Sequence, residues 1–242
     1  MSNAGCRIFL KINRPDKELI EGFKGLPVAN IADEMNRFFC VDARIKPFNT
    51  KRLLGTAFTV KSRVGDNLLF HKALELAQPG DVIIVDAQGD LTNSITGEIM
   101  MTQAAVNDIA GVVVDGAIRD AEAMKDLDMP VYAAGVQPKG PYKDGPGEIN
   151  VPICCGGVIV NPGDIVVGDA DGIVIINPKD APELLEKAKA KLAKEQAIIK
   201  GIKDRLPRDK SWVDRALEKV GCKIIDDYYK SEQSIVCLKK GF

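Results

Sequence analysis

The chain has 242 residues, 45% hydrophobic and 28% charged, which is ordinary usage for one globular domain with an appendage. Its 33 Lys and Arg nearly cancel its 34 Asp and Glu, so it lacks the basic excess of a dedicated nucleic-acid binder. Apolar runs such as Val82–Val85 and Ile173–Ile176 are too short to cross a bilayer, and no basic-then-apolar signal segment opens the chain, so a soluble, cytoplasmic protein with no membrane or nucleic-acid partner is expected.

Two helices are predicted first, Asp16–Phe23 and Val28–Phe38; in the second, Val28, Ile31, Ala32 and Met35 recur at helical spacing. Gly55–Val64 reads as a strand. Asp66 then caps a helix over Asn67–Ala77. After Pro79-Gly80-Asp81, the continuous apolar run Val82–Ala87 has the pattern of a strand buried on both faces. Gln88–Ser94 reads as a polar loop. A helix over Thr96–Ile109, a strand over Val112–Asp115, a helix over Arg119–Asp128 and a strand over Val131–Ala134 follow. This alternation predicts an α/β layer.

Gly135–Ile153 is rich in Gly, Pro and charge and reads as a long loop that can hold one strand. Short strands are predicted at Gly157–Val160, Ile165–Val167 and Ile173–Ile176. The two segments PGDVIIVDA and PGDIVVGDA share a Pro-Gly-Asp turn, read as common turn chemistry rather than a duplication. A long helix over Pro182–Arg205 carries Leu185, Ala188, Leu192, Ile199 and Ile202 on one stripe, and Ser211–Val220 forms a shorter helix. Residues 1–180 are therefore expected to form the α/β domain and 181–242 a C-terminal helical extension.

The chemistry open to the chain is restricted by its single histidine, His71. A multi-His zinc site is excluded, and a Ser-His-Asp triad would have to use that residue. The cysteines Cys6, Cys40, Cys154, Cys155, Cys222 and Cys237 include no Cys-x-x-Cys pair and read as buried or incidental thiols. No Gly-x-Gly-x-x-Gly or Walker pattern occurs.

Residues 97–120 carry the main functional signal. Thr96-Gly97-Glu98 stands where a loop becomes a helix, and the unpaired amides there suit a carboxylate or phosphate, with Gly97 permitting close approach. Arg119 and Asp120 follow the buried strand Val112–Asp115, at the carboxyl end where ligands of open α/β sheets bind. Arg119 offers paired donors to a carboxylate or enolate, and Asp120 a hard oxygen to Mg²⁺ or Mn²⁺. The same residues also fit a capping Asp beside a surface Arg.

From Leu26 to Leu192 the sequence resembles the family of regulator of ribonuclease activity A and the bacterial 4-hydroxy-4-methyl-2-oxoglutarate aldolases. The segments that carry the likeness are GTAFTV at Gly55–Val60, PGDVIIVDAQGD at Pro79–Asp90, TGEIM at Thr96–Met100, GVVVDGAIRD at Gly111–Asp120, MPVYAAG at Met129–Gly135 and PGDIVVGDADGIVII at Pro162–Ile176. The resemblance implies a three-layer β/β/α sandwich like the swivelling phosphohistidine domain. It also implies a homotrimer or homohexamer with sites between subunits. A pyruvate-binding loop falls on Gly97, Glu98, Ile99 and Met100, a substrate-binding catalytic arginine on Arg119, and a divalent-metal aspartate on Asp120. The implied reaction is a metal-dependent lyase step that forms pyruvate enolate from a small 2-oxo acid, by aldol cleavage or by decarboxylation of oxaloacetate. The chain departs from many aldolases at Ala123, where they carry an acid three residues after the metal aspartate. Non-catalytic binding to a ribonuclease is the alternative, and a lyase for another 2-oxo acid is a third reading.

His71 is read as structural or partly exposed rather than catalytic. Asp115 is read as orienting Arg119 or a water, or as stabilising a turn. Asp169 and Asp171 are read as a tight turn, Asp33 and Glu34 as exposed or interface charges, and Cys154-Cys155 as buried strand thiols.

Overall fold

A computed structural model of the chain describes residues 3–229. Cys237 lies outside them. The chain forms two compact units, the first ending at Glu195 and the second beginning at Gln196. Among the described residues, no helix is long and apolar enough to cross a membrane.

In chain order the elements of the first unit are β1 (Cys6–Ile8), α1 (Lys17–Glu21), α2 (Val28–Glu34), β2 (Lys46–Pro47), β3 (Leu53–Ser62), α3 (Leu68–Leu76), β4 (Asp81–Ser94), α4 (Glu98–Val106), β5 (Gly111–Ile118), α5 (Ala121–Asp126), β6 (Val131–Val136), β7 (Gly147–Ile149), β8 (Ile153–Cys155), β9 (Val158–Val160), β10 (Ile165–Asp169) and β11 (Gly172–Ile176). The long helix α6 (Ala181–Lys203) runs from the first unit into the second, which also holds α7 (Ser211–Lys219).

The strands β3, β4, β5 and β6 pair in parallel and form the centre of a mixed sheet ordered β1-β7-β3-β4-β5-β6-β2. Strand β10 pairs antiparallel with β3 and with β11. Alternation along the central strands divides the core. Ile83 and Val85 join Val112 and Val114 against Leu69, Phe70 and Ala73 of α3, Met101 and Ala104 of α4, and Met124 of α5. Val82 and Ile84 point the other way, into a cluster with Ile153, Cys155, Val158 and Val160 of the separate β8–β9 hairpin. A third cluster packs Val28 and Ile31 of α2 and Ala181, Leu184, Leu185 and Ala188 of α6 on β10 and β11. The expected α/β alternation is therefore present, with helices on one face of the parallel strands and short strands on the other.

The two Pro-Gly-Asp turns share one hydrogen-bond pattern. Asp81 Oδ2 accepts from Gln78 N at 2.8 Å, and Asp164 Oδ2 accepts from Asn161 N at 2.8 Å. Each aspartate thus closes its own turn before entering a strand.

Several boundaries differ from the sequence expectation. The helix expected over Val28–Phe38 stops at Glu34, because Asn36, Arg37 and Phe39 take left-handed backbone angles that no helix accommodates. The Gln88–Ser94 segment is not a loop. It continues β4 past two register shifts, with Gln88 and Gly89 at positive φ, and still pairs Asp90 with Gly116 and Ser94 with Ala117. The Gly135–Ile153 segment holds one whole strand, β7, as allowed for, with the end of β6 and the first residue of β8 at its borders, while β1 and β2 add edge strands that were not expected. In β8, Cys155 is buried but Cys154 is exposed, as alternation on a one-sided hairpin requires.

Candidate functional site

The site is built where β4 and β5 run out. Ile95 N donates to Ala117 O at 2.8 Å, and Arg119 N donates to Thr96 O at 2.9 Å. These bonds carry the pairing one step past both strands and set Thr96-Gly97 alongside Arg119-Asp120. Asp120 then turns the chain into α5 with φ 56° and ψ 41°, the left-handed region that Asp tolerates better than most residues.

That turn aims Asp120 back at the start of α4. Its Oδ2 accepts from Glu98 N at 3.0 Å and lies 3.6 Å from Arg119 Nε. Both side chains are a little under half exposed, 44% for Arg119 and 43% for Asp120. Among the described residues no hydrogen bond to Asp120 Oδ1 is found. Gly97 is what allows this approach, since a Cβ built on it would overlap Asp120 Oδ2 and crowd Arg119 Cγ.

Arg119 and Asp120 line a cleft of about 290 Å³ with Thr96, Gly97, Ile99 and Met100, so the predicted loop, arginine and aspartate share one cavity. Glu98 is placed differently. Its side chain lines a neighbouring hollow with Ala123 and Met101, and only its backbone N–H faces Asp120. Ala123 itself packs against the core, while Glu122 is solvent-exposed and 3.7 Å from Lys125.

Five further lining residues were not expected at the site: Asn67, His71, Gly140, Pro141 and Lys143. Helical spacing held the signal for two of them, because Asn67, the N-cap of α3, and His71, in its first turn, are four residues apart. His71 is half-buried, as the partly exposed alternative has it, and borders the cavity. Burial holds its pKa below the ordinary 6.5; nearby Lys143 adds to this and Glu75 opposes it. The Gly140–Lys143 wall is tied down by Asp66, whose Oδ2 accepts from Asp144 N at 2.7 Å and Gly145 N at 2.8 Å while Oδ1 accepts from Leu68 N at 2.9 Å. The N-cap of α3 is Asn67, without a side-chain capping bond, so Asp66 stands one residue before the cap position and ties the helix start to the loop.

Two buried atoms of the cleft lack partners. Thr96 Oγ1 and Asn67 Oδ1 are without a hydrogen bond although each residue is 2% exposed. A larger hollow of about 350 Å³, bordered by Glu34, Phe39, Asp180, Glu183 and Lys187, has no such orphaned atom. The chemistry concentrates in the smaller cleft.

The other candidates have structural partners. Asp115 does not orient Arg119: its Oδ1 accepts from Arg44 Nη2 at 2.5 Å and its Oδ2 from Gly156 N at 2.7 Å. Asp169 Oδ1 accepts from Asp171 N in the β10–β11 turn, and its Oδ2 accepts from Val28 N at the start of α2. Asp33 and Glu34 face Lys191 at 2.9 and 3.8 Å. Among the described residues, no three His, Cys, Asp or Glu side chains gather as a metal cluster, and the carboxylate lining this cleft is that of Asp120.

The comparisons agree on kinship. A protein from Halalkalibacterium halodurans named "Putative 4-hydroxy-4-methyl-2-oxoglutarate aldolase" is 39% identical over 207 residues, covering 85% of this chain and 99% of that one. The structure of the RNA-processing inhibitor RraA from Thermus thermophilis superposes with a TM-score of 0.58 at 31% identity, covering 62% of this chain and 92% of the other. RraAS2 from Streptomyces coelicolor, described as an unusual member of the RNase ES inhibitor RraA family, gives a TM-score of 0.68 at 27% identity over 77% of this chain and all of its own. The pattern of the RraA-like family, described as Aldolase/RraA, matches residues 28–175, and the chain belongs to that family.

Proposed function

We propose that the chain is a divalent-metal-dependent carbon–carbon lyase that forms pyruvate enolate from a 2-oxo acid, with 4-hydroxy-4-methyl-2-oxoglutarate or oxaloacetate as substrate. The observation that carries this reading is the convergence of Asp120, Arg119 and the Gly97 turn on one cleft. The name of the Halalkalibacterium relative supports the substrate class.

The residues present fit Mg²⁺ or Mn²⁺. Asp120 Oδ1 offers a hard oxygen, and these ions bind through one or two carboxylates while retaining water. When bound, such an ion supplies Lewis-acid stabilisation of negative charge on the substrate's 2-oxo oxygen. The chain does the rest. Arg119 offers fixed donors to the carboxylate or the developing enolate oxygen. The first-turn amides of Ile99 and Met100, which have no partner within α4, face an acid group placed over the helix start. Gly97 keeps that approach open.

The arrangement of helices on one face and the β8–β9 hairpin on the other supports a three-layer β/β/α sandwich of the swivelling phosphohistidine type. We place the protein in the cytoplasm as a homotrimer or homohexamer. The test of function is pyruvate release, coupled to lactate dehydrogenase, from both substrates with Mg²⁺ or Mn²⁺. Metal-dependent release that falls in Arg119→Ala and Asp120→Ala is expected. Full activity in both variants would remove this site from the reaction.

The likeness to the Thermus RNA-processing inhibitor favours a second reading, a non-catalytic regulator that binds a ribonuclease. Ribonuclease binding that survives Asp120→Ala, in a chain with no lyase activity, would establish it.

A further inference from the structure

Asn67, His71 and Thr96 form a polar wall of the cleft that the lyase reading leaves without a task. Asn67 Nδ2 donates to Ile95 O at 2.8 Å and approaches Met100 Sδ at 3.3 Å, which fixes the amide and leaves Oδ1 as the orphaned acceptor. Thr96 Oγ1 is orphaned and buried beside the same cavity. Two unpartnered buried atoms in one wall are costly unless a ligand group meets them. An orphaned acceptor and an orphaned hydroxyl on residues lining one cavity suit a ligand hydroxyl.

Aldol cleavage presents such a group at the carbon that leaves. Of the ionisable residues lining the cleft, Arg119 and Lys143 carry donors only, and Asp120 holds Glu98 N through Oδ2 and, on the lyase reading, the cation through Oδ1. The imidazole of His71 is the remaining proton acceptor.

We infer, on the lyase reading above, that His71 takes the proton of the substrate's C4 hydroxyl while Asn67 and Thr96 hold that hydroxyl in place. The O–H bond breaks toward the imidazole. The oxygen lone pair forms the new C4 carbonyl, the C3–C4 bond breaks, and its electron pair becomes the C2–C3 enolate. The imidazolium then returns its proton to C3, giving pyruvate, so no further reactant is needed. Decarboxylation of oxaloacetate has no hydroxyl proton to remove and makes no such demand on His71.

The charged groups around the imidazole are Lys143 from the facing loop, Glu75 on its own helix, and Arg119 and Asp120 across the cavity. Burial, with Lys143, keeps His71 neutral to lower pH than usual, so the base form is lost only on acidification below 6.5.

The test compares wild type and His71→Gln on both substrates with Mg²⁺, with thermal unfolding as the check on folding. The ratio of aldol cleavage to decarboxylation should fall roughly 10²-fold or more. The acid limb of the wild-type kcat/KM profile for cleavage should lie below pH 6.5 and vanish in the variant. Because His71 is the only histidine, its imidazole NMR signal is unambiguous, and pyruvate with Mg²⁺ should shift it. An unchanged ratio, an acid limb that persists in His71→Gln, or an imidazole signal unmoved by pyruvate overturns the inference while leaving the lyase reading standing. A wild-type chain that releases pyruvate from neither substrate overturns the lyase reading, and this assignment with it.

Discussion

At Gly97 one missing methyl group decides the geometry of the site. A side chain there would overlap the Asp120 carboxylate and press on Arg119. Gly97→Ala should therefore lower pyruvate release by roughly 10²-fold, the usual consequence of displacing one charge-stabilising group. Both displaced side chains are half exposed and can rotate into solvent, so the same substitution should cost no more than about 1 kcal/mol in stability. Urea titration and steady-state kinetics on one preparation separate the two effects. Arg119 and Asp120 were legible in the sequence because they follow a short buried strand. The left-handed turn at Asp120 was not, and neither was the partner of Asp115, which is Arg44, 71 residues away. His71 and Asn67 were legible only as neighbours on a helix, since nothing local says what that helix faces.

Among the elements, β4 and α3 position the site, and each depends on one buried carboxylate. Asp81 opens β4 with its side chain fully buried, and Arg14 grips it with Nε at 2.8 Å and Nη2 at 2.7 Å. Removing the guanidinium by Arg14→Met leaves a buried charge with less compensation and should cost roughly 3 kcal/mol, read as a lower urea midpoint. Asp66 joins the start of α3 to the loop behind Lys143 through three backbone N–H groups. Asp66→Ala should destabilise by about 1–3 kcal/mol and raise KM more than it lowers kcat, because the cleft wall loosens while Arg119 and Asp120 keep their places. Periodicity revealed the central strands and the helices that cover them, since Ile83, Val85, Phe70 and Met101 meet in one cluster. It did not reveal the outer half of β4, where positive-φ residues at Gln88 and Gly89 look like a loop until the partner strand is known. The edge strand β1 was hidden for a similar reason: its partner, β7, begins at Gly147.

For the molecule as a whole, the unit ending at Glu195 contains the sheet, its three clusters and the cleft. The first turns of α6 belong to that unit, with Ala181, Leu184, Leu185 and Ala188 buried. A chain truncated after Glu195 should therefore unfold in a single cooperative transition, and calorimetry would show it; a transition spread over several steps would mean the unit is not self-sufficient. The proposed trimer or hexamer should appear in light scattering as three or six times the 26.2 kDa chain mass. Whether Asp120 and Arg119 form one pocket for a cation and a small keto acid is read from Mn²⁺ binding followed by electron paramagnetic resonance, with oxalate as a planar mimic of the enolate. Oxalate should tighten Mn²⁺ binding to the wild-type chain, and Asp120→Asn should abolish both the binding and the coupling. Equal Mn²⁺ binding by Asp120→Asn, or wild-type binding indifferent to oxalate, would contradict a shared pocket.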